Sequence, residues 1–440
     1  MEQPALNPSA DGKDRILVKA SDMKQIILMS ILILQMSRYG LGEITMTLND
    51  CARELLKNNP ELRAGNETVE KARANFLNKY SAFLPQIYAT GGANKSKSES
   101  DDGYSDSTSY NASLTARQSL FAGFRNLAAL NKNRALLRAS EMNFLQIKSN
   151  LSYSLKTSFA NMLFVQEFTK LATAITARRK SNLDLVQLRF EAGREHKGSY
   201  LRSRAFLHQA QFEDTEAKRA ISVARRWLAT TMGWKDDAVI TVTGKWDVSV
   251  PSETPHFLDL VKNTPDHLEA MAKWRAARES VRIVESDFYP EWSASASLGR
   301  NGESLFPDQN QWSIGTTISF PLFEGGSRFY SMRSARAEER ASEANLMDSD
   351  NQTVSTIEEK FVAWQDAVER REVQAEFLRA GEVRAEIARS QYSNGLLSFQ
   401  DWDQIENELI NYQKAMLNSH RDAFIAQATW EKSIGTGVIK

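Results

Sequence analysis

The sequence predicts an α+β membrane protein built from one unit, helix–β-hairpin–long helix–helix, written twice in the same order. Three observations carry this expectation. They are an internal repeat, two helical stretches of about 70 residues, and two pairs of alternating strands behind a secretory leader.

The repeat is read from anchors that return at a fixed distance. Asn59-Pro60-Glu61 returns as Thr264-Pro265-Asp266 and Leu84-Pro85 as Tyr289-Pro290, each 205 residues on. Leu120-Phe121-Ala122-Gly123 returns as Leu322-Phe323-Glu324-Gly325, each residue 202 on. Arg189-Phe190-Glu191-Ala192-Gly193 returns as Gln391-Tyr392-Ser393-Asn394-Gly395, and Gly233 as Gly435, again 202 on. One three-residue deletion between Pro290 and Leu322 accounts for the change. The chain then divides into a leader and signal peptide (1–42), a first repeat (43–233), a linker (234–254), a second repeat (255–436) and a tail (437–440). Strands are expected at about 86–119 and 291–320, and long helices at about 121–190 and 323–392.

In the leader, Lys24 precedes an apolar run from Ile26 to Met36 that is too short for a membrane span. Gly40-Leu41-Gly42 offers small residues at a cut, so the mature chain is expected to begin near Glu43. Met23-Lys24 is the more ordinary start of such a signal. No other stretch approaches the ~18 apolar residues of a spanning helix, so the mature chain can enter a membrane only as a β-barrel.

Each repeat opens with a helical part, Leu48 to Leu84 and Phe257 to Tyr289, ended by a proline. The hairpins follow. Trp292, Ala294, Ala296 and Leu298 alternate with Ser293, Ser295, Ser297 and Gly299, and Trp312, Ile314, Thr316, Ile318 and Phe320 with small polar residues. Tyr110, Ala112, Leu114 and Ala116 repeat the pattern in the first copy, after a Ser-, Asp- and Lys-rich loop expected at Lys95 to Ser109. Long helices come next, with Val354, Ile357, Phe361, Trp364 and Val368 spaced as a coiled-coil seam and Leu151, Leu155, Phe159 and Met162 as a similar stripe. Turns at Gly193 and Gly395 reverse the chain into shorter helices, about Ser199 to Met232 and Phe399 to Ile434. The two short helices of a repeat, laid end to end, match its long one, giving a rod two helices thick. Four strands fall short of the ~8 that close a membrane barrel, so closure requires other copies of the chain.

This duplicated pattern resembles the TolC-like outer-membrane efflux proteins over residues 46–436. The Leu-Pro before the first strand, the Leu-Phe-x-Gly helix entries, the Phe-Glu-Ala-Gly and Tyr-Ser-Asn-Gly turns and Gly233 and Gly435 carry the likeness. The resemblance implies a homotrimer in the outer membrane of a Gram-negative bacterium, with a 12-stranded β-barrel on a long α-helical coiled-coil tunnel reaching through the periplasm. It implies that the chain is the passive channel of a tripartite efflux or type I secretion system. Its partners would be a periplasmic adaptor protein, an inner-membrane pump of RND, ABC or MFS type, and outer-membrane lipid. Met232 to Pro255 becomes an equatorial belt. Gly193 and Gly395 become adaptor contacts. The periplasmic gate falls on Tyr392, three residues before the second glycine, on Asp401, six after it, and on Phe190 in the first copy. The position nine after is Gln404, with Asp403 beside it, and a gate arginine of some members is Leu397 here.

Little points to catalysis or to a cofactor. The five histidines form no pair at helical ligand spacing, and no phosphate-cradling glycine loop or nucleophile elbow occurs. With 55 basic and 55 acidic residues, no nucleic-acid partner is implied. Cys51, the single cysteine, reads as a small apolar helix residue, and its surroundings do not resemble a lipoprotein cleavage box. The competing class is a non-channel periplasmic coiled-coil scaffold, which has no use for two alternating hairpins.

Overall fold

The computed structural model describes residues 44–100, 103–235, 239–246, 248–251 and 253–439. The expected leader and its cut at Glu43 lie outside the described residues. The first repeat runs β1 (Ile44–Met46), α1 (Leu48–Asn58), α2 (Pro60–Asn78), β2 (Gln86–Ser100), β3 (Gly103–Ala122), α3 (Arg125–Glu191) and α4 (Lys197–Met232). After β4 (Ile240–Val242) the second runs α5 (Phe257–Val261), α6 (Pro265–Glu285), β5 (Glu291–Gly302), β6 (Gln309–Ser319), α7 (Ser327–Ser393) and α8 (Phe399–Ser433).

The first helical part is not continuous, because proline has no backbone N–H to bond into a helix already under way. It breaks at Asn59, whose Oδ1 accepts from the N–H groups of Glu61 and Leu62 at 2.9 and 3.1 Å. The same side chain donates through Nδ2 to the Thr231 carbonyl at 2.9 Å, so one asparagine caps α2 and holds the end of α4 against it. In the second copy Thr264 caps α6, with Pro265 in its first turn and Gly435 at the end of α8 against Pro265. The short helices are thus stacked end to end in both repeats.

The long helices start four residues later than expected. Gly123 and Phe124 adopt φ of 57° and 67°, and Gly325 and Gly326 of 61° and 85°. Two successive left-handed residues swing the chain from strand into helix, and only then can the ladder begin. Each long helix has 67 residues, ~100 Å at ~1.5 Å per residue.

The hairpins form one antiparallel sheet in the order β2-β3-β5-β6. Its register sets apolar residues in rows across all four strands, Ala89–Leu114–Leu298–Trp312 and Ile87–Ala116–Ala296–Ile314. The other face carries hydroxyls that meet across strands, Thr90 with Ser113 at 2.8 Å and Thr115 with Ser297 at 3.1 Å. The apolar face is bare, with Trp312 73 % and Ile314 77 % exposed. The outer edges of β2 and β6 pair with no other described strand. The expected loop at Lys95 to Ser109 is instead mostly strand, Lys95 pairing with Thr108 and Lys97 with Asp106. Backbone bonds need no apolar face once the strands below have set the register, and Lys97 also covers the Tyr104 ring at 4.6 Å.

The main core sits halfway along the rod. Leu155 and Met162 of α3, Leu228 and Met232 of α4 and Ile240 are buried there. β1 pairs in parallel with β4, a two-stranded sheet that its three-residue strands leave unreadable in the sequence. Ile439 packs into the same core, its N–H donating to Ser152 Oγ at 3.0 Å. The α7 seam is buried at Ile357, Phe361, Trp364 and Val368, where Trp364 stacks on Trp430 of α8. Among the described residues no helix is long and apolar enough to cross a membrane.

Candidate functional site at the helix turns

At the end of the rod away from the sheet, α3 turns into α4 and α7 into α8. Both long helices end in the same motif. Gly193 N–H bonds the Phe190 carbonyl and Arg194 N–H the Arg189 carbonyl, as Gly395 bonds Tyr392 and Leu396 bonds Gln391. Gly193 and Gly395 take φ of 69° and 77°, which glycine adopts without strain. A Cβ at Gly193 would meet nothing within 4 Å, and one at Gly395 only the Arg189 guanidinium at 3.7 Å. Both turns are therefore open to an incoming backbone.

Tyr392 is fully buried. Its ring stacks on Trp402 at 4.2 Å between centroids, and its hydroxyl donates to Glu195 Oε2 at 3.0 Å. The Arg189 guanidinium lies over the ring at 4.8 Å and donates to the Tyr392 carbonyl at 2.8 Å. Burial and the Glu195 carboxylate push the phenol well above its usual range. Phe190, half-buried, stacks on Tyr200 at 5.7 Å.

The two aspartates part company, because two residues along a helix is ~200° around its axis. Asp401 is exposed in the first turn of α8, with Ser398 Oγ donating to its carboxylate at 2.7 Å while accepting from its backbone N–H. Asp403, next to Gln404, is counted with Asp401 among the gate residues expected from the sequence. Instead its side chain is 4 % exposed and faces Arg202 at 2.9 Å and Arg179 at 3.6 Å. Behind it Glu406 accepts from Asn182 at 3.2 Å and pairs with Arg178 at 3.4 Å. Burial raises the Asp403 carboxyl against the pull of the two arginines, and lowers Arg179.

Trp402, Arg179, Arg202, Glu406, Arg189 and Glu195 are the residues that sequence reasoning missed. On helices this rich in charge, a buried Arg-Asp pair reads the same as a solvated one. Trp402 was the available signal, a tryptophan one turn after a capped helix start.

These turns, the ~100 Å rod and the four-stranded sheet are one arrangement, and the sequence profile of the outer membrane efflux protein family matches residues 51–234 and 259–436. The chain belongs to that family. The two matched segments cover both repeats and leave out most of the linker. As a family member the chain is an outer-membrane transport channel of an efflux or secretion system. The chain is similar to OpmQ of Pseudomonas aeruginosa, the pyoverdine export outer membrane protein, at 24 % identity over 70 % of this chain and 67 % of that one. It is similar to AprF of the same organism, an alkaline protease secretion protein, at 22 % identity over 88 % and 82 %. Among solved structures it superposes on the outer-membrane channel OprN with a TM-score of 0.79 at 21 % identity, over 89 % of this chain and 91 % of that one.

Proposed function

We propose that three copies of this chain form one export duct, a 12-stranded barrel above a helical tunnel whose periplasmic end is closed at the α3–α4 and α7–α8 turns. The observation that carries this is the sheet: an apolar face left bare and two edges that pair with no other described strand, which a lipid environment tolerates only in a closed barrel. A periplasmic scaffold has no role for that face. The hydroxyl-lined face then borders a wet lumen.

The energy comes from an inner-membrane pump, of RND, ABC or MFS type, reached through a periplasmic adaptor. The open turns at Gly193 and Gly395 fit such a contact, since a missing side chain permits close backbone approach. OpmQ and AprF serve a small molecule and a protein, so this duct is read as taking its cargo from its pump. The gate reading rests on Asp401, the exposed carboxylate beside the second turn, with Tyr392, Phe190 and Asp403 holding the turn from inside the protomer. Three Asp401 carboxylates around a narrow path would draw multivalent cations. Asp401→Asn is expected to weaken block of single-channel current by periplasmic-side divalent or trivalent cations in planar bilayers. Equal block in both proteins would remove Asp401 from the gate and leave the duct standing.

A further inference from the structure

Resting on the reading of the sheet as part of an outer-membrane barrel, we infer that its outward face carries a built site for a phosphorylated lipid of the outer leaflet. Arg300 holds the phosphate, and the groove beside it takes an acyl chain.

The groove, ≈ 750 Å³, is lined from all four strands, within the ~300–1,000 Å³ that holds small apolar ligands. Its floor is made of small residues, Ala89, Gly91 and Ala112, beside the exposed, cross-strand pair Leu114 and Leu298. The β5–β6 loop folds back over this face, because a side chain at Gly302 would meet Pro307 at 3.2 Å and Asp308 at 3.3 Å. That fold sets Phe306, 85 % exposed, on the rim. A phenylalanine so bare at a strand end suits a site where acyl chains, not water, complete the packing.

Arg300 lies on the same face, one step along β5 from Leu298. Eight residues separate it from Trp292, ~26 Å along a strand and ~20 Å along the membrane normal at a tilt of ~40°. The guanidinium therefore emerges at the outer head-group level. Its Nε donates to Asn310 Oδ1 at 3.0 Å, which holds the fork in place and leaves both terminal nitrogens for a ligand. Among the described residues it has no carboxylate partner. The register carries Lys95 and Lys97 further out on the same face, where the hairpin outruns the ~9–11 residues needed to cross. Glu99, Asp106 and Asp308 offset their charge, so the fixed fork of Arg300 selects phosphate, rather than the local field.

The test is native mass spectrometry of the detergent-extracted assembly with EDTA present, so that no divalent ion bridges lipid to Asp308. The probes are hexa-acylated lipid A with two phosphates, the same lipid dephosphorylated, phosphatidylglycerol, and inorganic phosphate as competitor. The diphosphoryl lipid is expected to bind about tenfold tighter than the dephosphorylated one. Arg300→Ala should erase the difference, Arg300→Lys should keep part of it, and Phe306→Ala should weaken both lipids alike. Inorganic phosphate should not compete. Equal binding of the two lipid A forms, an unchanged preference in Arg300→Ala, or phosphatidylglycerol binding as tightly as lipid A would each overturn the site. The oligomeric state in the same spectra separates the two readings. A trimer without the preference refutes only the lipid site, whereas a monomer that stays soluble without detergent refutes the duct.

Discussion

Removing one member of the ion cluster behind the turns is expected to cost more than removing two. The Arg179 and Asp403 side chains are 7 % and 4 % exposed and 3.6 Å apart. Lost hydration outweighs pairing for both, since burial is the largest influence on each, raising Asp403 and lowering Arg179. The sign for Asp403 follows. A carboxyl raised in the folded state contributes stability below its unfolded value and loses it as pH rises through the folded one, so at neutral pH its charge is a load. Deleting it alone strands Arg179, and breaking a buried pair costs ~3–5 kcal/mol. Asp403→Leu belongs at the low end, about 3 kcal/mol, because Arg179 keeps the Glu406 charge nearby, Asn407 and the Phe206 ring at 4.7 Å. Arg202 adds little, being 55 % exposed and screened by water. Asp403→Leu with Arg179→Met should return to within ~1 kcal/mol of the parent. Thermal unfolding of the parent, both single variants and the double, followed by circular dichroism in detergent, measures the coupling. A double variant that loses the sum of the two singles would refute the argument.

The glycines should rank by what surrounds them. Gly435→Ala and Gly233→Ala drive a Cβ to 2.1 Å from the Pro265 ring and 2.5 Å from the Asn58 carbonyl, so both should fail to assemble on a semi-native gel. Gly193→Ala, with empty space around it, should assemble and lose only the ~1–2 kcal/mol of a left-handed backbone. Assembly of all three alike would show that the end-to-end helix stacking is misread. Cys51 is fully buried and its thiol is pushed up to about 12, so thiolate at pH 8 is scarce. Alkylation by iodoacetamide should be absent in the folded protein and complete in guanidinium; rapid labelling of the folded form would contradict the packing of α1.

Much of the fold was legible because the repeat gave every element twice. Pro60 and Pro265 marked helix starts, and serine alternating with alanine in β5 marked a two-faced strand. The exceptions have physical causes. The hairpin extension at Lys95 to Ser109 is polar on both faces, so nothing in its pattern separates strand from loop. β1 and β4 are three residues each, and their pairing depends on α3 bringing them together. The site was less legible than the fold. The glycine register located Tyr392 and Asp401, but not that Tyr392 is buried under Arg189 or that Asp403 turns inward. Both depend on helices about 200 residues apart in sequence.

The same divergence explains how two near-identical turns act as one. The first turn is charged, with Arg189, Arg194, Glu195 and Lys197, whereas the second is apolar, with Leu396 78 % exposed and Leu397 behind it. Arg189 and Glu195 leave their own turn to hold Tyr392 of the other, one on its carbonyl and one on its hydroxyl. The duplicate of Tyr392 is Phe190, which has no hydroxyl to return the contact. The contacts are therefore unequal in kind, a polar clasp from the first repeat holding an aromatic core in the second. Any movement of α7 and α8 against α3 and α4, whichever pair moves, must break those two bonds. The Phe190–Tyr200 stack and the Tyr392–Trp402 stack each lie within one helix pair, so the two clasp bonds are what such a movement has to overcome.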